Sequence, residues 1–132
     1  IAALACSGAV DGLIVSNTTL ARPDTLTGQN RHEAGGLSGQ PLKTASTEML
    51  GRMYQLTEGR VPLVGVGGIA DGSDAWAKIR AGASLVQLYT ALVYQGPSLI
   101  HQIRNDLVRR IKAEGFTTIA EAVGADHRSK HP

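Results

Sequence analysis

The chain has 132 residues, 42% hydrophobic and 18% charged, a balance that excludes intrinsic disorder. Lys and Arg number 13 against 11 Asp and Glu, a formal net charge of +2, so a pI near 8.9 reflects two charges and excludes a nucleic-acid footprint. Cys6 is the sole cysteine, which excludes an internal disulfide, and no apolar run approaches the roughly 20 residues of a membrane span. Sixteen glycines against 4% aromatics favour tight strand-to-helix turns over an aromatic stacking surface. The sequence begins at Ile1 without a signal-like segment, and its true start is expected upstream.

Residues 13–15 (Leu-Ile-Val) lie between Asp11-Gly12 and Ser16-Asn17-Thr18-Thr19. Apolar, β-branched residues so bounded predict a buried strand. Residues 20–44, rich in Gly, Thr, Pro and Gln, predict a loop far longer than the roughly 2–6 residues usual between strand and helix, which marks a functional segment. A helix is expected from Ser46 or Thr47, with Met49, Met53 and Leu56 at helical spacing and Gly59 as its stop. Residues 63–66 (Leu-Val-Gly-Val) predict a second strand, ending in Gly67-Gly68. Asp71 or Ser73 then caps a helix carrying Ala75, Ile79 and Ala83. Residues 85–88 predict a third strand, ending in Tyr89-Thr90. Gly96-Pro97 opens the longest helix, with Ile100, Ile103, Leu107 and Ile111 on one face and Gly115 ending it. A short helix is expected over residues 119–123, and a frayed tail over 126–132.

Continuous apolar strands alternating with helices imply a parallel sheet covered by helices. An open Rossmann-like sheet and a (β/α)8 barrel share this pattern. Three strands make a poor closed core, and a full barrel takes about 250 residues. The expected fold is therefore α/β: residues 1–132 form the C-terminal part, the last three β/α units, of a single (β/α)8 TIM-barrel domain.

In parallel α/β folds ligands sit at the carboxyl ends of the strands. Here those ends are Ser16-Asn17-Thr18, Gly67-Gly68 and Tyr89-Thr90, with no carboxylate, Cys or His among them. They offer neutral donors suited to an anion or a polar ring. Two glycines before a helix allow close backbone approach to a phosphate, and the next strand end adds two hydroxyls beside it. The alternative is tight glycine packing in a turn. Gly65-x-Gly67-x-x-Ala70 also loosely fits a dinucleotide fingerprint, but the acidic residue expected about 20 positions on is missing from residues 85–92. Asn17, Thr18 and Thr19 suit a planar ring bearing carbonyls or a carboxylate, or else cap their own turn. They also spell a glycosylation sequon, which nothing else supports. Gly35-Gly36-Leu37-Ser38-Gly39 either aims backbone N–H groups at a ligand or forms a flexible turn. Cys6 reads as a small core residue. His32, His101, His127 and His131 lack metal-ligand spacing, so no metal is expected, and Arg22, Arg31 and Arg60 read as solvated.

These strand ends resemble the quinone-linked (class 2) dihydroorotate dehydrogenases. The matching blocks are Gly12-Leu13-Ile14-Val15-Ser16-Asn17-Thr18-Thr19, Gly35-Gly36-Leu37-Ser38-Gly39-Gln40-Pro41-Leu42, Val64-Gly65-Val66-Gly67-Gly68, the run from Ile79-Arg80-Ala81-Gly82-Ala83-Ser84 through Tyr89-Thr90-Ala91-Leu92, and Gly124-Ala125-Asp126-His127-Arg128. They cover nearly the whole chain, and the Arg-Ala-Gly-Ala-Ser and Gly-Ala-Asp-His-Arg blocks are like class 2 rather than the soluble classes. The resemblance implies a (β/α)8 barrel binding FMN. Asn17 and Thr18 would then bind dihydroorotate or orotate. Ser16, where the family commonly has Thr, would lie beside the flavin, Gly39 would give a backbone contact to FMN, and Gly67, Gly68, Tyr89 and Thr90 would hold its phosphate. The implied reaction is oxidation of dihydroorotate to orotate with a quinone as final acceptor, in pyrimidine biosynthesis. The family's serine base, a flavin-side lysine and the membrane-associating extension are expected before Ile1, so no catalytic base is expected within this chain. The implied location is peripheral to the bacterial cytoplasmic membrane, or the mitochondrial inner membrane in a eukaryote.

Two other readings fit the sequence. One is another phosphate-binding barrel enzyme, such as a nucleotide-linked dehydrogenase or an aldolase-like lyase. The other is a non-catalytic truncated or split-barrel module whose open strand edges would make it self-associate.

Overall fold

In the computed structural model, which describes residues 1–128, the chain opens with α1 (Ala2–Leu4), wound on as a π turn over Ala5–Ala9. It then alternates strand and helix: β1 (Leu13–Val15), α2 (Lys43–Leu56), β2 (Leu63–Val66), α3 (Gly72–Arg80) and β3 (Leu85–Gln87). Three helices complete the order, α4 (Thr90–Gln95), α5 (Ser98–Ala113) and α6 (Ile119–Ala122). Residues 129–132, His131 among them, lie outside the described residues.

The three strands form one parallel sheet in the order β1-β2-β3. Its register sets Val15 beside Gly65 and Gly65 beside Val86. Alternate residues of a strand face opposite sides, so one side of the sheet carries Val15, Leu63 and Gly65. This side packs on α2 and α3, where Leu50, Ala81 and Ala83 complete a core cluster. Ile69, Ala75, Leu99 and Ile103 join α3 to α5, and Trp76, Ile79 and Ala122 join α3 to α6. The opposite side is open, although β1 reads as a buried strand: Ile14 is 64% and Leu85 67% exposed. Each strand is apolar on both sides, but among the described residues only one side meets a helix.

Two boundaries differ from expectation, and one of the two expected caps is selected. Helix α2 begins at Lys43, not Ser46 or Thr47, because Gln40–Leu42 already form a 3-10 turn with Pro41 in its first positions, where its fixed φ and missing N–H cost nothing. A short helix, α4, which the sequence reading did not include, follows Tyr89. The cap on α3 is Asp71, whose Oδ1 accepts the Asp74 N–H at 2.9 Å and the Ser73 hydroxyl at 2.7 Å.

The expected frayed tail is corrected for its first three residues. Ala125–His127 form a 3-10 turn, and Asp126 pairs with Arg80. His127 stacks on Tyr54 at 5.4 Å and bonds the Ala81 carbonyl through Nε2 at 3.1 Å. The Tyr54 ring also fills space beside Gly59, Gly82 and Gly124, where a Cβ would come within 3.0 Å, 2.4 Å and 2.2 Å of ring atoms. Polarity suggested fraying, but an aromatic stack and an ion pair hold the segment. Cys6 is half-buried, its thiol 3.9 Å from the Thr57 carbonyl, rather than a core residue.

Leu50 is fully buried at the centre of the core and Leu56, on the same helix, is exposed. Leu50→Ala should cost about 3 kcal/mol of stability and Leu56→Ala under about 0.5 kcal/mol, read from urea unfolding midpoints.

Candidate functional site

The parallel register brings the carboxyl ends of all three strands to one side of the molecule, around a crevice of about 340 Å³. All eight positions singled out from the sequence line it. Ser16, Asn17 and Thr18 come from the end of β1, Gly67 and Gly68 from β2, Tyr89 and Thr90 from β3, and Gly39 from the long loop.

The loop is not slack. Thr19 and Leu37 exchange two backbone hydrogen bonds, at 3.1 and 2.7 Å, which ties the Gly-rich segment back to the tip of β1. Arg22, expected to be solvated, instead donates to the carbonyls of Glu33 and Gly35 at 2.8 and 2.7 Å and staples the loop's interior. Gly36 lies against Thr18, where a Cβ would stand 1.8 Å from Oγ1. Ser38 and Thr90 hydroxyls meet at 3.0 Å, which brings the loop end onto the tip of β3.

Asn17 takes up its capping reading. Its Oδ1 accepts the Thr18 N–H at 2.7 Å, a local cap. That bond also fixes the amide's orientation, since a backbone donor must face the oxygen, and Nδ2 is left with no partner among the described residues. Thr19 turns its hydroxyl to the Ala21 N–H at 3.1 Å and does not line the crevice. Tyr89 borders it while 78% exposed.

The Gly67-Gly68 turn is the most tightly specified part. Both residues have positive φ, +101° and +76°, a region nearly closed to side chains. A Cβ on Gly68 would also stand 2.4 Å from the Lys43 Cα, so helix backbone fills that space. Ser46 Oγ bonds the Gly67 carbonyl at 2.9 Å, and Gln40 Nε2 donates to the Gly68 carbonyl at 3.1 Å. A trans peptide points its N–H opposite to its C=O. With both carbonyls held on the helix side, the N–H groups of Gly68 and Ile69 are turned toward the crevice that both residues line. Successive N–H groups so turned make an anion-binding concavity.

Behind the turn lies a polar cluster that the sequence reading did not find. Asp74, 5% exposed, pairs with Lys43 Nζ at 2.9 Å through Oδ1. Its Oδ2 accepts the Ala70 N–H at 2.9 Å and Gln40 Nε2 at 3.0 Å. Lys78 is fully buried, with Nζ 2.5 Å from Ser46 Oγ and 3.4 Å from the Lys43 carbonyl. Burial pulls its pKa down to about 8, against the charge of Asp74 and with that of Lys43. One sequence signal existed: Asp74 and Lys78 stand four apart beside the Ala75–Ile79 stripe. That spacing ordinarily marks a solvated surface pair. Gly65, in the strand facing α3, leaves the room for Lys78: a Cβ there would come within 3.1 Å of the Lys78 Cβ.

Three parallel strands with level tips, covered by helices on one side, form part of a (β/α)8 barrel. The chain belongs to the dihydroorotate dehydrogenase family, whose model, "Dihydroorotate dehydrogenase", matches residues 1–111. It is 62% identical to the dihydroorotate dehydrogenase (quinone) of Azorhizobium caulinodans over 90% of this chain and 33% of that protein. To the mitochondrial dihydroorotate dehydrogenase (quinone) of Arabidopsis thaliana it is 55% identical, over 97% of this chain and 28% of that protein. A solved structure of DHODH in complex with ferulenol from Eimeria tenella superposes with a TM-score of 0.92 at 44% identity, over 97% of this chain and 34% of that one. The similarity is to the quinone-linked class, and the chain spans about a third of the length of these relatives.

Gly68→Ala meets both a forbidden φ and helix backbone. It should destabilise the protein by about 2 kcal/mol or more, measured as a fall in the urea midpoint, whereas Gly28→Ala, in open space, should leave the midpoint unchanged.

Proposed function

We propose that this chain forms the part of a quinone-linked dihydroorotate dehydrogenase that holds the FMN phosphate and one edge of the substrate. The observation that carries the reading is the convergence of the Gly67-Gly68 turn, Thr90 and Asn17 on one crevice. The residues present fit the group: a phosphate needs close backbone approach and several N–H or O–H donors, and side chains are sterically shut out of the Gly68 position.

When bound, FMN supplies the two-electron redox chemistry. The chain's own residues bind and orient. Gly68 and Ile69 N–H groups and the Thr90 hydroxyl hold the phosphate, with Gly67 and Tyr89 shaping its rim. Ser38, by engaging Thr90 Oγ1, sets the direction of that hydroxyl. Gly39 offers backbone to the cofactor, and Ser16 lies at the tip of β1 beside the ring. Asn17 directs its free Nδ2 donors at a substrate carbonyl or carboxylate, and Thr18 adds a hydroxyl. The proton-accepting base, the quinone contact and a peripheral membrane attachment are assigned to the remainder of the barrel enzyme, whose other strands would cover Ile14 and Leu85. Among the described residues no helix is long and apolar enough to cross a membrane.

The test is a complete enzyme in which this chain is joined to the remaining part of the Azorhizobium relative. It should purify yellow and bleach when dihydroorotate is added without an acceptor; a colourless, inert product defeats the reading. Within it, Asn17→Ala should raise the KM for dihydroorotate about tenfold or more while flavin content is kept. Thr90→Val should instead weaken FMN binding by about fivefold to tenfold, measured by flavin fluorescence.

A further inference from the structure

We propose that Lys78 and Ser46 form a positioning pair that sets the Gly67-Gly68 turn from behind and supplies the positive charge its neutral donors lack. The inference deepens the phosphate reading and rests on it.

The hydrogen bonds fix the direction of the pair. A serine hydroxyl has one proton to give. Lys78 Nζ donates to Ser46 Oγ at 2.5 Å. The other acceptor within reach of Ser46, the Lys43 carbonyl at 3.1 Å, is the longer contact and already receives the Thr47 hydroxyl at 2.7 Å and Lys78 Nζ at 3.4 Å. The Ser46 proton therefore goes to the Gly67 carbonyl, 2.9 Å away. Holding that carbonyl holds the whole peptide plane, and so the Gly68 N–H on its far side.

The charges point the same way. A fully buried lysine is rare without a carboxylate partner. Lys78 makes no ion pair among the described residues, since Asp74 is engaged by Lys43. The charged groups facing Lys78 are Asp74, one turn back on α3, and Lys43 from α2. Lys43 is half-exposed and is faced by Asp71 as well as Asp74, so the positive charge left without an ion-pair partner is the buried one on Lys78, linked to the turn by a single hydroxyl. An anion in front of the turn completes the balance, and low local dielectric makes that attraction count. A lysine serving only to fill space would need none of this alignment.

The experiment uses the same completed enzyme and compares FMN with riboflavin, which lacks the phosphate. Affinities are measured by flavin fluorescence at equilibrium for the parent, Lys78→Met and Ser46→Ala. The parent should prefer FMN strongly. Both variants should lose about tenfold or more of that preference with riboflavin affinity kept. The parent's preference should also decline as pH rises past the Lys78 pKa of about 8, and Lys78→Met should flatten that decline. Ser46→Ala deletes a single oxygen, so it carries the test if the lysine variant fails to fold. Variants that keep the parent's preference, or lose FMN and riboflavin equally, overturn the positioning role while leaving the phosphate reading intact. A parent that binds both flavins alike overturns the phosphate reading and the inference with it.

Discussion

The central strand β2 is hydrogen-bonded on both flanks, and the site depends on its register. Val15, Gly65 and Val86 stand side by side across the sheet, so the three chains leave the sheet at one level and their next residues must share one space. Gly65 then lets α2 and α3 come close to the sheet: Ala83, Leu50 and the Lys78 Cβ all crowd the place where its side chain would stand. That approach lets Ser46, on α2, reach the carbonyl of Gly67. One missing side chain in mid-strand thus determines how the turn two residues later is held.

The strands and the side of the sheet where the chemistry gathers were legible in the sequence because they are local signals. Leu63-Val64-Gly65-Val66 has the composition of a buried strand, and a pair of glycines before a capped helix marks a tight turn with open backbone. The Asp71 cap and the Pro97 opening of the long helix were legible for the same reason. The polar cluster was not. Lys78 and Asp74 take their environment from residues far away in the sequence, and no helical pattern announces that a lysine is facing a glycine in the strand its helix packs on. The same holds for Ser38 and Thr90, which meet across a long stretch of chain. His127 and Asp126 looked like tail residues because their partners, Tyr54 and Arg80, lie two or more elements earlier.

The long connection after β1 shows how a segment rich in Gly and Thr becomes rigid. It borrows order from its ends, through the Thr19–Leu37 bridge and the Ser38–Thr90 contact, and from one guanidinium that gathers its carbonyls. Such a segment is tied down without a hydrophobic core of its own, by a few hydrogen bonds at its ends and through Arg22. Membership of the dihydroorotate dehydrogenase family agrees with this division of labour. Short strands and helices fix positions, and connections between them carry the polar contacts.

The Tyr54 ring occupies volume claimed from three separate connections, at Gly59, Gly82 and Gly124, and presses on His127 from its other surroundings. Amino acids from three regions of the chain are therefore answerable to a single phenol. Drift at any one of them, toward even an alanine, displaces the ring and is felt by the other two, so this corner of the molecule changes as a block or stays as it is.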